Sequence, residues 1–192
     1  MTRVAIRPAN LRDATYIGAN LRQADKIEIF CQVPGGLSGS DVTQTLFGGM
    51  LDEWTWIAHL DGQPATIFGV MPITVSTWSG FAFGTRHLPR TIPRVSAHML
   101  ALEPSLIAHG VRRLEVRTIS THDISHQWLR KLGCWFEAEL PEYGKDGELF
   151  ELWCWHIGRP PSQHAKWKPR HVLQTQSPQA PSATASGGAQ ER

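Results

Sequence analysis

The pair Asp61-Gly62 stands between two apolar runs, residues 53–60 and 63–70. Asp-Gly at such a place is a strong hairpin signal, because the tightest hairpin turns need positive φ at residues that tolerate it. An antiparallel pair therefore lies in the middle of the chain, and the fold must be built around a sheet. Pro72 breaks or bends the returning strand, and residues 78–85 read as a third consecutive strand with Phe81 and Phe83 on one side.

Other segments join this meander. Residues 4–7 are short and alternating, with Pro8 as a stop. Asn10 is placed to cap a helix, with Asp13 in its first turn and Ala14, Ile17, Leu21 and Ala24 at helical spacing as far as Ile29. The glycine-rich stretch 34–40 reads as a loop, and Asp41 caps a short helix through Leu46 that ends at Gly48-Gly49. Pro93 suits the first turn of a longer helix running through Met99, Leu102 and Leu106 to Gly110, with a kink expected at Pro104. Residues 113–118 alternate as a strand. Thr121 or Asp123 caps a helix closed by Gly133, and residues 135–140 and 149–157 are two further strands around the turn 143–147. The order β-α-α-β-β-β-α-β-α-β-β predicts a mixed α/β sheet, mostly antiparallel, with helices on both faces.

Composition limits what this fold does. The 192 residues are 41% apolar and 19% charged, which fits one domain with a sizeable core. Eight tryptophans, each able to bury about 150–250 Å², make that core aromatic, with Trp54, Trp56, Trp78, Phe81 and Phe83 as its expected members. The net charge of +2 points to no specific nucleic acid, and its basic excess lies in Arg159, Lys166, Lys168 and Arg170. From residue 159 onward Pro, Ser, Gln and Ala dominate without periodicity. That division predicts a folded domain over 1–158 and a disordered tail over 159–192, with Trp167 as its one anchor. Cys31, Cys134 and Cys154 form no pair pattern and read as buried, reduced thiols. There is no run of about 18 apolar residues, so no membrane span is expected. The sequence also holds no G-x-S-x-G, no metal-type His/Cys spacing and no nucleotide P-loop.

Four stretches in order carry a resemblance: residues 4–9 with Asp13; residues 58–65 with Phe68-Gly69; residues 109–116; and residues 122–134. Together they resemble the GNAT superfamily of N-acetyltransferases. Residues 21–29, Phe83-Gly84-Thr85 and residues 128–133 are similar to the GNAT-like proteins of short-tailed phages, some of them transferases and others internal virion proteins. The resemblance implies acetyl-CoA as cosubstrate, an amine as acceptor, phage virion or host proteins as possible partners, and a place in the host cytoplasm or the virion. It implies that Arg86, Arg90, Arg94 and Ser96 bind the cofactor. Glu115 and His87 would be candidate bases, with His59 a weaker one, and His122 or His126 a substitute proton carrier.

The chain departs from that pattern at three positions. The phosphate-binding loop, counted back from Gly110, falls on residues 90–95, where Pro93 and Val95 replace the expected small residues. Proline has no N–H to offer a phosphate. Leu129 stands where the family carries its tyrosine acid. An alternative expectation is therefore a catalytically degenerate GNAT-fold protein, ejected from a virion or bound to a host protein.

Overall fold

A computed structural model describes residues 3–42 and 53–159. Much of the short helix expected from Asp41, and all but the first residue of the expected tail, lie outside the described residues. The elements run β1 (Val4–Pro8), α1 (Leu11–Ala19), α2 (Gln23–Phe30), α3 (Gly39–Val42), β2 (Thr55–Leu60), β3 (Gln63–Pro72), β4 (Thr77–Gly84), α4 (Leu88–Ala101), α5 (Glu103–Ala108), β5 (Arg113–Ile119), α6 (Asp123–Lys131), β6 (Trp135–Leu140) and β7 (Phe150–His156). They form one seven-stranded sheet of order β1-β2-β3-β4-β5-β7-β6. Every neighbouring pair is antiparallel except β4 and β5.

The hairpin turn is as the sequence predicts. Asp61 and Gly62 both have positive φ, 51° and 86°, and Leu60 faces Gln63 across the turn. At α1 the Asn10 side chain accepts the Asp13 N–H at 3.0 Å, which satisfies one of the amides a helix start leaves open.

Three helix expectations change. The helix predicted from Asn10 to Ile29 is broken after Ala19, because the chain there pairs with the sheet instead. Leu21 bridges Thr85, and the Arg22 N–H bonds to the Gly84 carbonyl at 2.9 Å. Helix α4 begins at Leu88 rather than around Pro93, with Pro89 in its first turn and Pro93 exposed inside it. Burial of Leu88, Thr91 and Val95 against the sheet outweighs the one hydrogen bond lost at Pro93. Pro104, expected to kink that helix, instead follows a break in it at Leu102. It lies in the first turn of a separate helix, α5, where a missing N–H costs nothing.

Each face of the sheet buries its own apolar set. Ala14, Ile17 and Ile29 of α1 and α2 pack on Ile57 and Ile67. On the other face Val70, Trp78, Leu114 and Trp153 meet Leu106 of α5 and Leu129 of α6, while Phe68 meets Val95 of α4. The three cysteines are free and buried, and burial pushes the Cys134 thiol up to about 12.

One buried carboxylate ties the broken helix to the sheet. Asp25 is 2% exposed; it accepts the Gly84 N–H at 2.7 Å and pairs with Arg22 at 2.8 Å. Asp25→Ala would strand both partners. It is expected to cost about 2–4 kcal/mol in urea unfolding, whereas Lys26→Ala on the exposed side of the same helix should change stability by no more than about 0.5 kcal/mol.

Candidate functional site

Strands β4 and β5 share register at only three positions, Thr77 with Arg113, Trp78 with Leu114 and Ser79 with Glu115, and then part. The backbone bonds show which way the freed edge of β4 points. Ser76 O accepts from Arg112 N on the β5 side, whereas Thr85 N donates to Ala65 O on the β3 side. Even-numbered residues of β4 therefore turn their backbone polar groups toward β5. Trp78 and Gly80 lie at the paired end. At the far end, Gly84 donates its N–H to Asp25, and its carbonyl accepts from Arg22 N–H. Ala82, between them, aims its N–H and C=O into the gap.

The gap is a cleft of about 280 Å³ that passes through the sheet. Phe68, Ala82, Met99, Val116, Trp128 and Leu129 line it on the side of α4 and α6. Ile29, Val33, Phe81, Phe83, Arg117 and Tyr143 line it on the side of α2 and the loop between β6 and β7. That loop is tied to α2, with Lys145 N bonded to Cys31 O at 2.8 Å and the Cys31 thiol to Glu148 at 3.1 Å. Phe81 and Phe83 serve both packing and the cleft wall, since they also lie against the α1–α2 apolar cluster.

A polar cluster spans this gap. Glu28 of α2, 8% exposed, reaches across to the side of β5 that faces α6. Its Oε2 accepts from Thr118 Oγ1 at 2.8 Å and from His122 Nδ1 at 2.9 Å. Its Oε1 has no partner among the described residues, and Glu28 lines the cleft. Ser125 also lines it, with Oγ 3.0 and 3.2 Å from the two His122 ring nitrogens. Near-equal distances put the hydroxyl beside the ring rather than on either lone pair, so the Glu28 contact is the one that orients the imidazole. Sequence reasoning found His122 but missed Glu28. A glutamate on an amphipathic helix carries no signal that its neighbours will bury it.

The other expected residues divide between the cleft and elsewhere. Glu115 lies on the α2 face, and both of its oxygens are already held, Oε1 by Arg113 at 2.7 Å and Oε2 by Arg117 at 2.8 Å. Ser96 accepts the Trp128 indole N–H at 2.8 Å, joining α4 to α6 beside the cleft. His87 caps α4 without a side-chain cap bond, and Arg86 Nε lies 3.3 Å from its ring. Arg90 is exposed on the first turn of α4. Arg94 lines a separate concavity with Val4, Ile6 and His98. His126 is buried and stacks on Trp153, 5.4 Å between centroids. His59 pairs with Asp13 at 3.0 Å under α1, away from the cleft. Leu129 is 4% exposed and forms cleft wall.

The start of α4 differs from an open anion site. Leu88 N bonds to Thr85 O at 2.9 Å and Arg90 N to His87 O at 3.0 Å, a tight three-residue turn. His87 N bonds to Thr85 Oγ1 at 3.2 Å, and Pro89 has no N–H. Among residues 86–90, only Arg86 has a backbone N–H without an intramolecular partner described here.

No family model matches the sequence, and no curated protein is similar to it by sequence. Solved structures are similar in fold. The GNAT-family acetyltransferase of Streptococcus pneumoniae matches with TM-score 0.55 at 17% identity, over 81% of this chain and 100% of that one. The ribosomal-protein-S18-alanine N-acetyltransferase of Escherichia coli matches with TM-score 0.58 at 14% identity, over 82% and 96%. The structure of yncA from Salmonella typhimurium, solved with acetyl-CoA, matches with TM-score 0.62 at 13% identity, over 82% and 96%. The expected fold class is therefore correct: the chain has the GNAT fold.

Behind the cleft, Arg113 also binds Glu137 of β6, and Glu137 accepts from the Cys154 thiol at 2.9 Å. The bond to Arg113 holds the Glu137 carboxyl below its ordinary 4.5. A depressed folded value adds stability above about pH 4.5 that is lost as pH falls through the folded value. Glu137→Gln is therefore expected to flatten the acid limb of a stability-against-pH curve, measured by urea midpoints between pH 3 and 6. An unchanged acid limb would show that the pair adds nothing.

Proposed function

We propose that this chain transfers an acyl group, acetyl in the simplest case, from a pantetheine thioester such as acetyl-CoA to an amine. The observation that carries this reading is the gap between β4 and β5, with a backbone edge free at Ala82 and a carboxylate, Glu28, inside it. An apolar slot with one exposed strand edge suits an extended amide-bearing arm, which can bond to that edge as a further strand would. Solved proteins of this fold include an N-acetyltransferase and another protein solved with acetyl-CoA, which supports the same reading.

In this reading Glu28 Oε1 takes one proton from the acceptor ammonium, directly or through one water. The freed amine attacks the thioester carbonyl, a C–N bond forms and the C–S bond breaks. The leaving thiolate carries off the electron pair and takes up the second proton, which the attacking nitrogen sheds, so the products are an amide and a thiol. His122 is a positioning residue. Its Nδ1–H donates to Oε2 and fixes the carboxylate in the gap. Leu129 cannot supply an acid, but a thiol ionises near pH 8.5, so its thiolate leaves readily without one. Trp128, held by Ser96, walls the slot.

Glu28→Gln tests this assignment. With acetyl-CoA and a panel of primary amines, kcat is expected to fall about 10²- to 10⁴-fold while donor binding is kept. A kcat within about threefold of the parent would remove Glu28 from the mechanism.

A second reading is favoured by the closed start of α4 and by Leu129. It is a GNAT-fold protein that binds a partner without transfer, such as an internal virion protein of a short-tailed phage acting on host proteins. Failure to release thiol with any amine, together with its presence at fixed copy number in purified particles, would establish that role. Absence from particles would exclude the virion form of it.

A further inference from the structure

From the hydrogen bonds at the start of α4 we infer that the donor is recognised through its phosphopantetheine arm and thioester, and that the diphosphate and adenosine of CoA add little. This rests on the transferase reading above and narrows its donor. A diphosphate is held at a helix start by several backbone N–H groups that have no other partner, aided by the helix dipole. Here those groups are committed. Leu88 and Arg90 donate within the opening turn, and His87 donates to the Thr85 hydroxyl. Pro89, the second residue of the helix, has no N–H to offer there. Pro89 also cannot be reoriented to provide one, so the deficit belongs to the sequence and not to a side-chain setting.

The thioester end is different. The Ala82 edge is open, the wall is apolar, and the cleft of about 280 Å³ has room for an extended arm. The Arg86 backbone N–H and the terminal nitrogens of its exposed guanidinium, whose Nε donates to the His87 ring, are left for a single phosphate. One phosphate with a pantetheine arm is the unit shared by CoA and by the prosthetic group of acyl carrier proteins. The donor class is therefore an acyl phosphopantetheine thioester, from either source.

Titration calorimetry with acetyl-CoA, S-acetyl-4′-phosphopantetheine and S-acetylpantetheine tests this on the unmodified protein. The expected result is that acetyl-CoA binds no more than about threefold tighter than the phosphopantetheine thioester. A diphosphate cradle of even two charge-assisted bonds would make acetyl-CoA more than about 30-fold tighter, and that ratio would overturn the inference while leaving the transferase reading intact. If none of the three bound at millimolar concentration, the transferase reading would fall, and this inference with it. Once the first result holds, kcat/KM for an acetylated carrier protein against acetyl-CoA separates the two sources.

Discussion

After Ser79 and Glu115, β4 and β5 share no further register, and the arrangement of the site follows from that separation. Parallel neighbours in a sheet normally stay paired, since unpaired backbone groups are costly to bury. Here the far end of β4 is satisfied by the second helix instead. Asp25 accepts the Gly84 N–H, and Arg22 N–H donates to the Gly84 carbonyl. The strand is anchored at both ends and open in the middle. That is how a fold can hold a gap without collapsing onto it. Gly80 contributes at the narrow end, since a Cβ there would lie 3.3 Å from Val116.

The same helix that closes β4 places the acidic group. Asp25 and Glu28 are one turn apart on α2, so both face the sheet. Asp25 secures the strand, and Glu28 enters the gap. Burial raises the Asp25 carboxyl above its ordinary range, although Arg22 and the Gly84 N–H oppose that rise. Its ionisation is therefore favoured less in the fold than in the open chain. The helix position that builds the site thus sacrifices some stability as pH rises through the folded value, a common cost of groups placed for function.

Much of the fold could be read from the sequence because its signals are local. Asp61-Gly62 set the hairpin, and the alternating runs set the strands. The misplaced elements were those decided by distant contacts. Nothing near Leu21 announces that it will bridge Thr85, so helical periodicity ran on to Ile29. Pro93 looked like a helix start because prolines favour one, but Pro89 in the actual first turn obeys the same rule. The site was legible only in part. His122 could be found from its place at a helix start, as the resemblance implied. Glu28 could not, because its role depends on crossing the sheet to residues about ninety positions away. Glu115 was found in the sequence, but its salt bridges to Arg113 and Arg117 exist only in the folded sheet.

The central claim is that the Ala82 edge of β4 receives the arm of a pantetheine thioester. Hydrogen exchange of the Ala82 amide, followed by NMR with and without S-acetylpantetheine, tests it most directly. In the free protein this N–H faces an open cleft and should exchange faster than the β4 amides paired with β3. At saturating ligand it should become strongly protected, with little change at the distant β1–β2 edge. An Ala82 amide whose exchange stays the same under saturation would contradict the account.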